Sequence, residues 1–422
     1  MAAAPPASVA ADRPPRPIGE RELVCVLALT QALLALAIDS MLPALSDIAG
    51  DLAVSDPNRR QLVVGLFLVG SGVGSLVPGT LADRFGRKRV LLACVGTYVL
   101  IGLACALARD FTVLAGLRLL GGLACAGLMV IPPAIIRDRF DGDRMASLQS
   151  MMTVIFLVVP MLAPSLGQGV LLVAGWRWIF GLMALLGAGM FAWLALRLPE
   201  TLRPEHRQPI ALGTIGRNFA ETLTNRGSIG YVLAGTATTS VMWGYIQSCQ
   251  QLVGEHFGAG RAFPVIFGAM ALCMSLAFFT NSRIVERFGA RRVGQAALIA
   301  YILLAVAQYV CAHSGREALW QFVPLMTLMM ICGGFTGANF SAIALQPFAR
   351  IAGAASSVQA TIRNGLASLI ATAIGQAYDG SARPLSSAMV VAGSCAFLLV
   401  LWSERGRLFR RLYPPGAVRP AP

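Results

Sequence analysis

Three charged side chains lie inside apolar stretches of this 422-residue sequence, where an ionised group is costly and therefore rare. Asp39 lies about sixteen residues into the first apolar stretch, Arg118 about seven residues into the fourth, and Arg363 within the eleventh. A carboxyl group enclosed in this way can take up and release a proton, so Asp39 is a candidate for proton coupling. The alternative is a boundary residue, because Pro43 and Asp47 follow soon after.

The two arginines also allow alternatives. Arg118 either extends to the outer surface or faces an interior cavity, where a guanidinium group near Asp39 would assist release of its proton. Arg363, which is followed by Asn364, either marks the inner boundary of its stretch or binds an anionic or polar group of a ligand.

Polar and adaptable apolar side chains in the same stretches are candidates for lining a substrate cavity. Gln247 and Gln251 are four residues apart and share one face of a helix. Methionine and tryptophan make adaptable apolar contacts with varied ligands, although such residues more often serve only packing. With Arg363 and Asn364, the candidates are Gln31, Met41, Gln149, Trp243, Tyr245, Gln247 and Asn339.

Other chemistries find no support in the residue pattern. The nine cysteines are scattered without a CxxC pair and the three histidines form no HExxH motif, so we expect no metal and no cofactor. The single lysine, Lys88, follows Arg87 rather than glycine, which excludes a P-loop for ATP within this chain. No combination of a nucleophile with a base appears, so an enzyme is not expected.

The composition predicts the elements that hold these residues. Hydrophobic residues make up 56% of the chain and charged residues 13%, which excludes a soluble domain and a disordered chain. We therefore predict an all-α integral membrane protein with twelve transmembrane helices. The predicted spans are 23–45, 60–82, 89–108, 112–136, 147–173, 176–198, 229–253, 262–281, 292–313, 318–345, 354–378 and 385–403.

The basic residues predict the orientation of these spans. Most of the 34 Lys and Arg residues fall in the tails and in alternate loops, so the positive-inside rule places both termini in the cytoplasm. This distribution explains most of the +14 net charge, and nucleic acid is not needed as a partner.

An internal repeat divides the chain. Residues 83–93 read DRFGRKRVLLA and residues 286–296 read ERFGARRVGQA, and both copies follow an apolar span. Both must face the cytoplasm, so six spans separate them and the halves form a parallel repeat. The predicted domains are a disordered tail (1–22), a six-helix bundle (23–198), a cytoplasmic linker (199–228), a second six-helix bundle (229–403) and a cytoplasmic tail (404–422).

The loop from Gly79 to Arg89, GTLADRFGRKR, resembles motif A of the major facilitator superfamily. RLLGG at 118–122 resembles motif B, and PMLAPSLGQ at 160–168 resembles the antiporter motif C, with departures at Ala163 and Gln168. DSMLP at 39–43 is similar to the first helix of twelve-span drug:proton antiporters. Together with IRD at 136–138, GWRWIF at 175–180 and LPET at 198–201, these motifs resemble the Bcr/CflA branch.

The resemblance implies the major facilitator fold and a monomer in the bacterial inner membrane that exports small drug-like molecules in exchange for protons. It also implies that Asp83 of motif A meets a helix N-terminus of the other half and locks the outward-open state. A bend at Pro160, Pro164 and Gly167 would accompany rocking of the halves. The residues expected to gate are Gly79, Asp83, Arg84, Gly86, Arg87, Lys88, Asp138, Glu286, Arg287 and Gly289.

Two alternatives to drug export remain at this point. A transporter of the same fold could move one specific metabolite in or out of the cell. A membrane sensor or scaffold that transports nothing is the other, and it would need neither two copies of motif A nor an intramembrane Asp39.

Overall fold

The structure is a computed structural model and describes residues 18–140, 142–202, 212–315 and 317–410, within which the long elements are all helices. The helices before residue 203 are α1 Glu20–Asp39, α2 Leu45–Asp51, α3 Leu62–Gly74, α4 Leu76–Phe85, α5 Arg87–Ala106, α6 Phe111–Arg139, α7 Gly142–Val173 and α8 Arg177–Arg197. Those after residue 211 are α9 Leu212–Thr224, α10 Arg226–Gln250, α11 Phe263–Phe288, α12 Ala290–His313, α13 Leu319–Leu345, α14 Ala352–Gln376 and α15 Arg383–Ser403. Residues 1–17, 203–211 and 411–422, which include most of the predicted tails and part of the predicted linker, lie outside the described residues.

The helices have the length and composition of a multi-pass membrane protein, as the sequence predicts. Within the described ranges, nine helices are long and apolar enough to cross a bilayer, and a tenth crossing forms if the bent pair Arg59–Gly74 and Leu76–Phe85 is one span. The predicted seventh and eleventh spans correspond to α10 and α14, which are 25 residues each, about 37 Å long, and richer in Ser, Thr and Gln.

The two halves meet along two pairs of helices. One pair is α3 with α14, and the other is α7 with α11. We call the side of the bundle that carries residues 83–89 and 286–292 the motif face, and the opposite side, with residues 52–61 and 251–262, the latch face. By the positive-inside prediction the motif face is cytoplasmic.

The first span is broken after 20 of its 32 residues. Helix α1 ends at Asp39, a 3₁₀ turn covers Leu42–Ala44, and α2 continues to Asp51. Pro43 has no backbone N–H, so the carbonyl group of Asp39 cannot receive its helical hydrogen bond from the residue four positions later. The segment Glu20–Asp51 is nevertheless one candidate span of 32 residues, longer than predicted.

The repeated motif forms the same turn in both halves. Gly86 joins α4 to α5 with φ 105°, and Gly289 joins α11 to α12 with φ 87°. Side chains rarely adopt this backbone region, so glycine at this position lets one helix end and the next begin without a loop.

We expect Gly86→Ala to lower the stability of the protein by about 1–3 kcal/mol, the cost of a strained backbone conformation. Besides the positive φ, a Cβ atom at position 86 would lie 2.4 Å from Oε2 of Glu200. Thermal unfolding in detergent measures the effect. Gly116→Ala, in α6 with open space around its Cβ position, is the control, and equal melting temperatures for the two variants would contradict the expectation.

Candidate functional site

Asp39 lies at the break in the first span and is enclosed by both halves. The residue is 6% exposed, and its carboxylate makes no hydrogen bond or ion pair with any residue that the structure describes. Cys249 of α10, in the second half, lies close enough to interact with its charge. A carboxyl group that is buried and free of a fixed partner can exchange a proton without first breaking an ion pair.

Arg118 stabilises this break from α6 but does not pair with Asp39. Its Nε donates to the carbonyl oxygen of Val63 and its Nη2 to that of Ala37, both at 2.7 Å. The guanidinium group also lies 4.2 Å from the ring centroid of Phe67. The residue is 4% exposed, so it does not extend to the surface; it ties α1, α3 and α6 together two residues before Asp39.

Gly167 of the motif C segment packs directly on the same break. A Cβ atom there would lie 2.1 Å from the carbonyl oxygen of Ser40 and 3.3 Å from Cγ of Pro43. Helix α7 passes through Pro160 and Pro164 as one helix. The break that carries Asp39 is therefore held between α6 and α7.

An ion pair joins the two halves on the latch face. The side chain of Arg60, in the loop before α3, contacts the carboxylate of Glu255 at 2.6 Å. Arg60 is 8% exposed and also donates to Oγ of Ser46, which in turn accepts from Gln250.

Amide groups extend the contact between the halves on this face. Nδ2 of Asn58 donates to the carbonyl oxygen of Tyr378 at 2.7 Å, and Nε2 of Gln376 donates to the carbonyl oxygen of Asn58 at 2.8 Å. Gln61 and Gln251 share a hydrogen bond between their side chains. We call the set Asn58, Arg60, Gln61, Gln251, Glu255 and Gln376 the latch.

Glu255 is followed by His256, which fixes the end of this segment within the second half. Nε2 of His256 lies 3.6 Å from Glu317, and its Nδ1 lies 3.0 Å from the carbonyl oxygen of Gly380. Burial raises the pKa of Glu317, and the neighbouring His256 and Gln308 oppose that rise.

Apart from Gln251, the latch residues were not predicted from the sequence. In the sequence, Arg60 and Glu255 are charged residues near loops of different halves. They are 195 residues apart, and no local pattern links them. Only the packing of the two halves, with α3 against α14, brings them together.

The motif A residues interact within the first half. Arg87 pairs with Asp83 at 2.6 Å and with Asp138 at 2.9 Å, and its backbone N–H donates to Glu200 at 2.8 Å. Arg87 thus joins the start of α5 to the end of α6 through Asp138. The side chain of Asp83 is 44% exposed, so in this structure the carboxylate of motif A is not buried against the other half.

The remaining gating candidates lie around this network. Gly79 brings α4 close to α6, with its Cβ position 3.3 Å from Val130. Lys88 donates to the carbonyl oxygen of Ala195 at 2.8 Å. In the second copy, Glu286 and Arg287 are exposed, and Arg84 stacks on Phe85 in the first.

The second span bends at Ser75, where it contacts the second half. The Oγ atoms of Ser75 in the first half and Thr361 in α14 lie 3.0 Å apart. Directly after Ser75, the axis bends by 46° into α4, which packs on α5 and α6. The seam between α3 and α14 is therefore closed from the latch face to Ser75, and beyond Ser75 the contact of α4 with α14 is much smaller than that of α3.

Gln247 lies in this seam, and its side-chain amide group has no hydrogen-bond partner among the described residues. It is 1% exposed, and neither its Oε1 nor its Nε2 has a partner among the described residues. A Cβ atom at Gly65 in α3 would lie 2.6 Å from its Oε1, so glycine makes room for it between the halves. A buried amide without partners costs free energy, which makes Gln247 a candidate for a group that gains a partner in another state.

The other cavity candidates divide into separate groups. Nδ2 of Asn339 donates to Oδ1 of Asn281 in α11 at 2.9 Å. Nε2 of Gln31 donates to the carbonyl oxygen of Met129 at 3.4 Å. The Tyr245 hydroxyl group lies 3.2 Å from the sulfur of Met270. Met41 is fully buried in the break, while Trp243 and Gln149 are half-buried. Arg363 and Asn364 lie on α14, and no ion pair joins Arg363 to Asp39.

Comparisons with known proteins place the whole arrangement in one family. The model of the family described as Major Facilitator Superfamily matches residues 27–372, which include Asp39, Arg118 and Arg363. A bicyclomycin resistance protein homolog of Haemophilus influenzae is 26% identical over 379 residues, 90% of this chain and 94% of that protein. The multidrug resistance protein MdtL of Shigella flexneri is 30% identical over 341 residues, 80% of this chain and 84% of MdtL.

A solved structure supports the fold. A bacterial homolog of the human lysosomal transporter Spinster superposes with a TM-score of 0.67 at 15% identity, covering 92% of this chain and 95% of that one. At this identity the likeness establishes the fold alone.

Proposed function

Because this chain belongs to the Major Facilitator Superfamily, a family of membrane transporters and not of enzymes, we propose that it exports small drug-like organic molecules in exchange for protons. The names of the two relatives support the export of drugs. The observation that carries the proton coupling is Asp39, a buried carboxylate without a fixed partner at a helix break between the halves.

The proposed cycle is alternating access between two states. With the motif face in the cytoplasm and both termini inside, we assign this structure to the inward-facing state. The closed latch on the opposite face and the small contact of α4 with the second half support this assignment. The substrate enters from the cytoplasm and binds between the halves. The latch then opens as the motif face closes, and Asp83 meets the second half there.

Asp39 supplies the driving force in this scheme. It is protonated from the outer side when the latch is open, and protonation favours release of the substrate there. In the inward-facing state it returns the proton to the cytoplasm. One proton crossing 100 mV supplies about 2.3 kcal/mol, enough for roughly fifty-fold accumulation at a one-to-one ratio.

The site proposed for the substrate is the interior surface that both halves share. Gln247 and Asn364 lie on the α10 and α14 walls of the seam, and Arg363 lies one residue before Asn364. We place the protein in the bacterial inner membrane as a monomer, with Pro160, Pro164 and Gly167 letting α7 follow the movement of the halves.

Everted membrane vesicles test the proposal. A panel of drug-like compounds is added to energised vesicles while a fluorescent dye reports the acidity of the lumen. We expect at least one compound to be accumulated and to release protons from the lumen in a saturable way. Vesicles that accumulate none of the compounds, with the protein present in the membrane, would argue against drug export.

We expect Arg60→Gln to open the latch face more often. The ion pair is half-exposed on the side of Glu255, so its loss is worth about 1 kcal/mol, or about a fivefold shift between the two states. Hydrogen exchange measured by mass spectrometry reports it as faster deuterium uptake by residues 45–61 and 251–262.

Two variants control this experiment. Arg59→Gln removes a neighbouring charge that stacks on Phe111 in its own half, so deuterium uptake across the latch should stay unchanged. The double variant Arg60→Glu with Glu255→Arg restores an ion pair and should return uptake toward the wild-type rate. If Arg59→Gln and Arg60→Gln behave alike, the latch does not control the state of the transporter.

A further inference from the structure

We propose that Arg363 binds the anionic group of the transported molecule, so that the substrates are organic anions carrying a carboxylate or a similar oxyanion. The inference rests on the proposed export function and narrows its substrate class. It follows from the position of Arg363, from its unused hydrogen-bond donors, from the space beside it and from the absence of a described counter-ion.

Arg363 lies in the middle of the membrane segment α14. The helix runs from Ala352 to Gln376, so Arg363 is eleven residues from one end and thirteen from the other. At 1.5 Å per residue these distances are about 16 Å and 20 Å, too far for the side chain to reach either end of the helix. This central position argues against a boundary arginine, the alternative that the sequence left open.

The guanidinium group has one protein partner among the described residues. Its Nη1 donates to Oγ of Ser341 in α13, and its stem passes Gly235 of α10, whose Cβ position lies 4.0 Å from Cδ. A guanidinium group has five N–H donors, so most of them remain available. Arg118 differs, because it is buried and donates hydrogen bonds to two backbone carbonyl groups, whereas Arg363 is partly exposed.

Open space lies beside the pair of Arg363 and Ser341. Gly337 and Gly333 precede Ser341 by one and two helical turns on the same face of α13, and a Cβ atom at either would meet nothing within 4 Å. Leu328, which is 48% exposed, lies nine residues before Gly337 and so points the opposite way. The glycine face is thus turned away from this lipid-facing residue, and atoms of a ligand can approach Arg363 from it.

The charge of Arg363 has no described partner in the membrane. No carboxylate of the described residues, Asp39 included, forms an ion pair with it. A buried cation without a counter-ion is unfavourable unless an anion joins it, and a carboxylate matches the planar fork of a guanidinium group with two hydrogen bonds. A cationic drug would meet repulsion at the same place.

Two xanthene dyes of opposite charge test the inference, fluorescein as the anion and rhodamine 123 as the cation. Their uptake is measured in everted vesicles with the membrane potential clamped, for wild type, Arg363→Gln and Arg363→Lys. Arg261→Gln, in the loop before α11, is the control because it removes an exposed arginine outside the spans.

We expect wild type and Arg261→Gln to take up fluorescein alike. Arg363→Gln should lower that uptake at least about tenfold through a higher KM, because a charge-assisted hydrogen bond is lost, and Arg363→Lys should retain part of it. Uptake of rhodamine 123 should not fall in Arg363→Gln, which distinguishes a binding role from a structural one.

The outcomes separate the two proposals. If wild type takes up rhodamine 123 and not fluorescein, or if Arg363→Gln leaves fluorescein uptake unchanged, the anion site is overturned and export stands. Equal loss of both dyes in folded Arg363→Gln also overturns it, since the arginine would then be structural. Failure of wild type to accumulate any dye or drug overturns both proposals.

Discussion

Asp39→Asn is expected to abolish proton-driven accumulation while leaving the protein folded. Asparagine has nearly the same shape but cannot carry the proton, and Asp39 makes no ion pair whose loss would unfold the break. Accumulation in everted vesicles should fall from a gradient of up to roughly fifty-fold to none, because the roughly 2.3 kcal/mol from each proton is no longer available. Substrate-induced release of protons from the lumen should disappear with it.

The matched control is Asp47→Asn in α2, an exposed carboxylate eight residues along the same span, which should leave accumulation unchanged. Exchange of labelled for unlabelled substrate without a proton gradient should persist in Asp39→Asn, since binding and rocking do not need the proton. Asp39 is not the coupling group if Asp39→Asn still accumulates substrate at the expense of the proton gradient.

Gly167→Ala is expected to have the second-largest effect, although it adds a single methyl group. Its Cβ would lie 2.1 Å from the carbonyl oxygen of Ser40, and a backbone atom cannot rotate away as a side chain can. Overpacking of this kind costs about 1–3 kcal/mol. If the contact is specific to this state, the equilibrium between the two states shifts by about 5–150-fold, and transport slows accordingly.

Gly169→Ala, two residues further along α7, meets nothing within 4 Å and serves as the control. It shares the helix and the gain in helix propensity, so any difference between the variants reports the contact with Ser40. Transport rates and thermal unfolding in detergent measure both effects. Equal transport rates and equal melting temperatures for the two alanine variants would show that the contact of Gly167 with Ser40 does not matter for either property.

The sequence sufficed for the fold because its signals are local. A run of about twenty apolar residues must form a helix in lipid, and the distribution of arginine in the loops predicts which way each helix points. The repeated DRFG and ERFG motifs predicted two equivalent halves, and each copy has a glycine with positive φ between two helices, at Gly86 and Gly289. Asp39, Arg118 and Arg363 were identified because a charge within an apolar run is visible without any partner.

Tertiary structure alone decided what those residues touch. Arg118 binds the backbone at Ala37 and Val63 rather than Asp39, and Arg60 meets Glu255 across 195 positions of sequence. Both sets of contacts depend on how the helices pack against each other, and no periodic pattern in the sequence predicts that packing. The sequence therefore determined which charged groups lie within the apolar spans, where a charge is costly. The packing of the two halves decided which of them have fixed partners, as Arg118 has, and which remain available for binding, as Asp39 and Arg363 do.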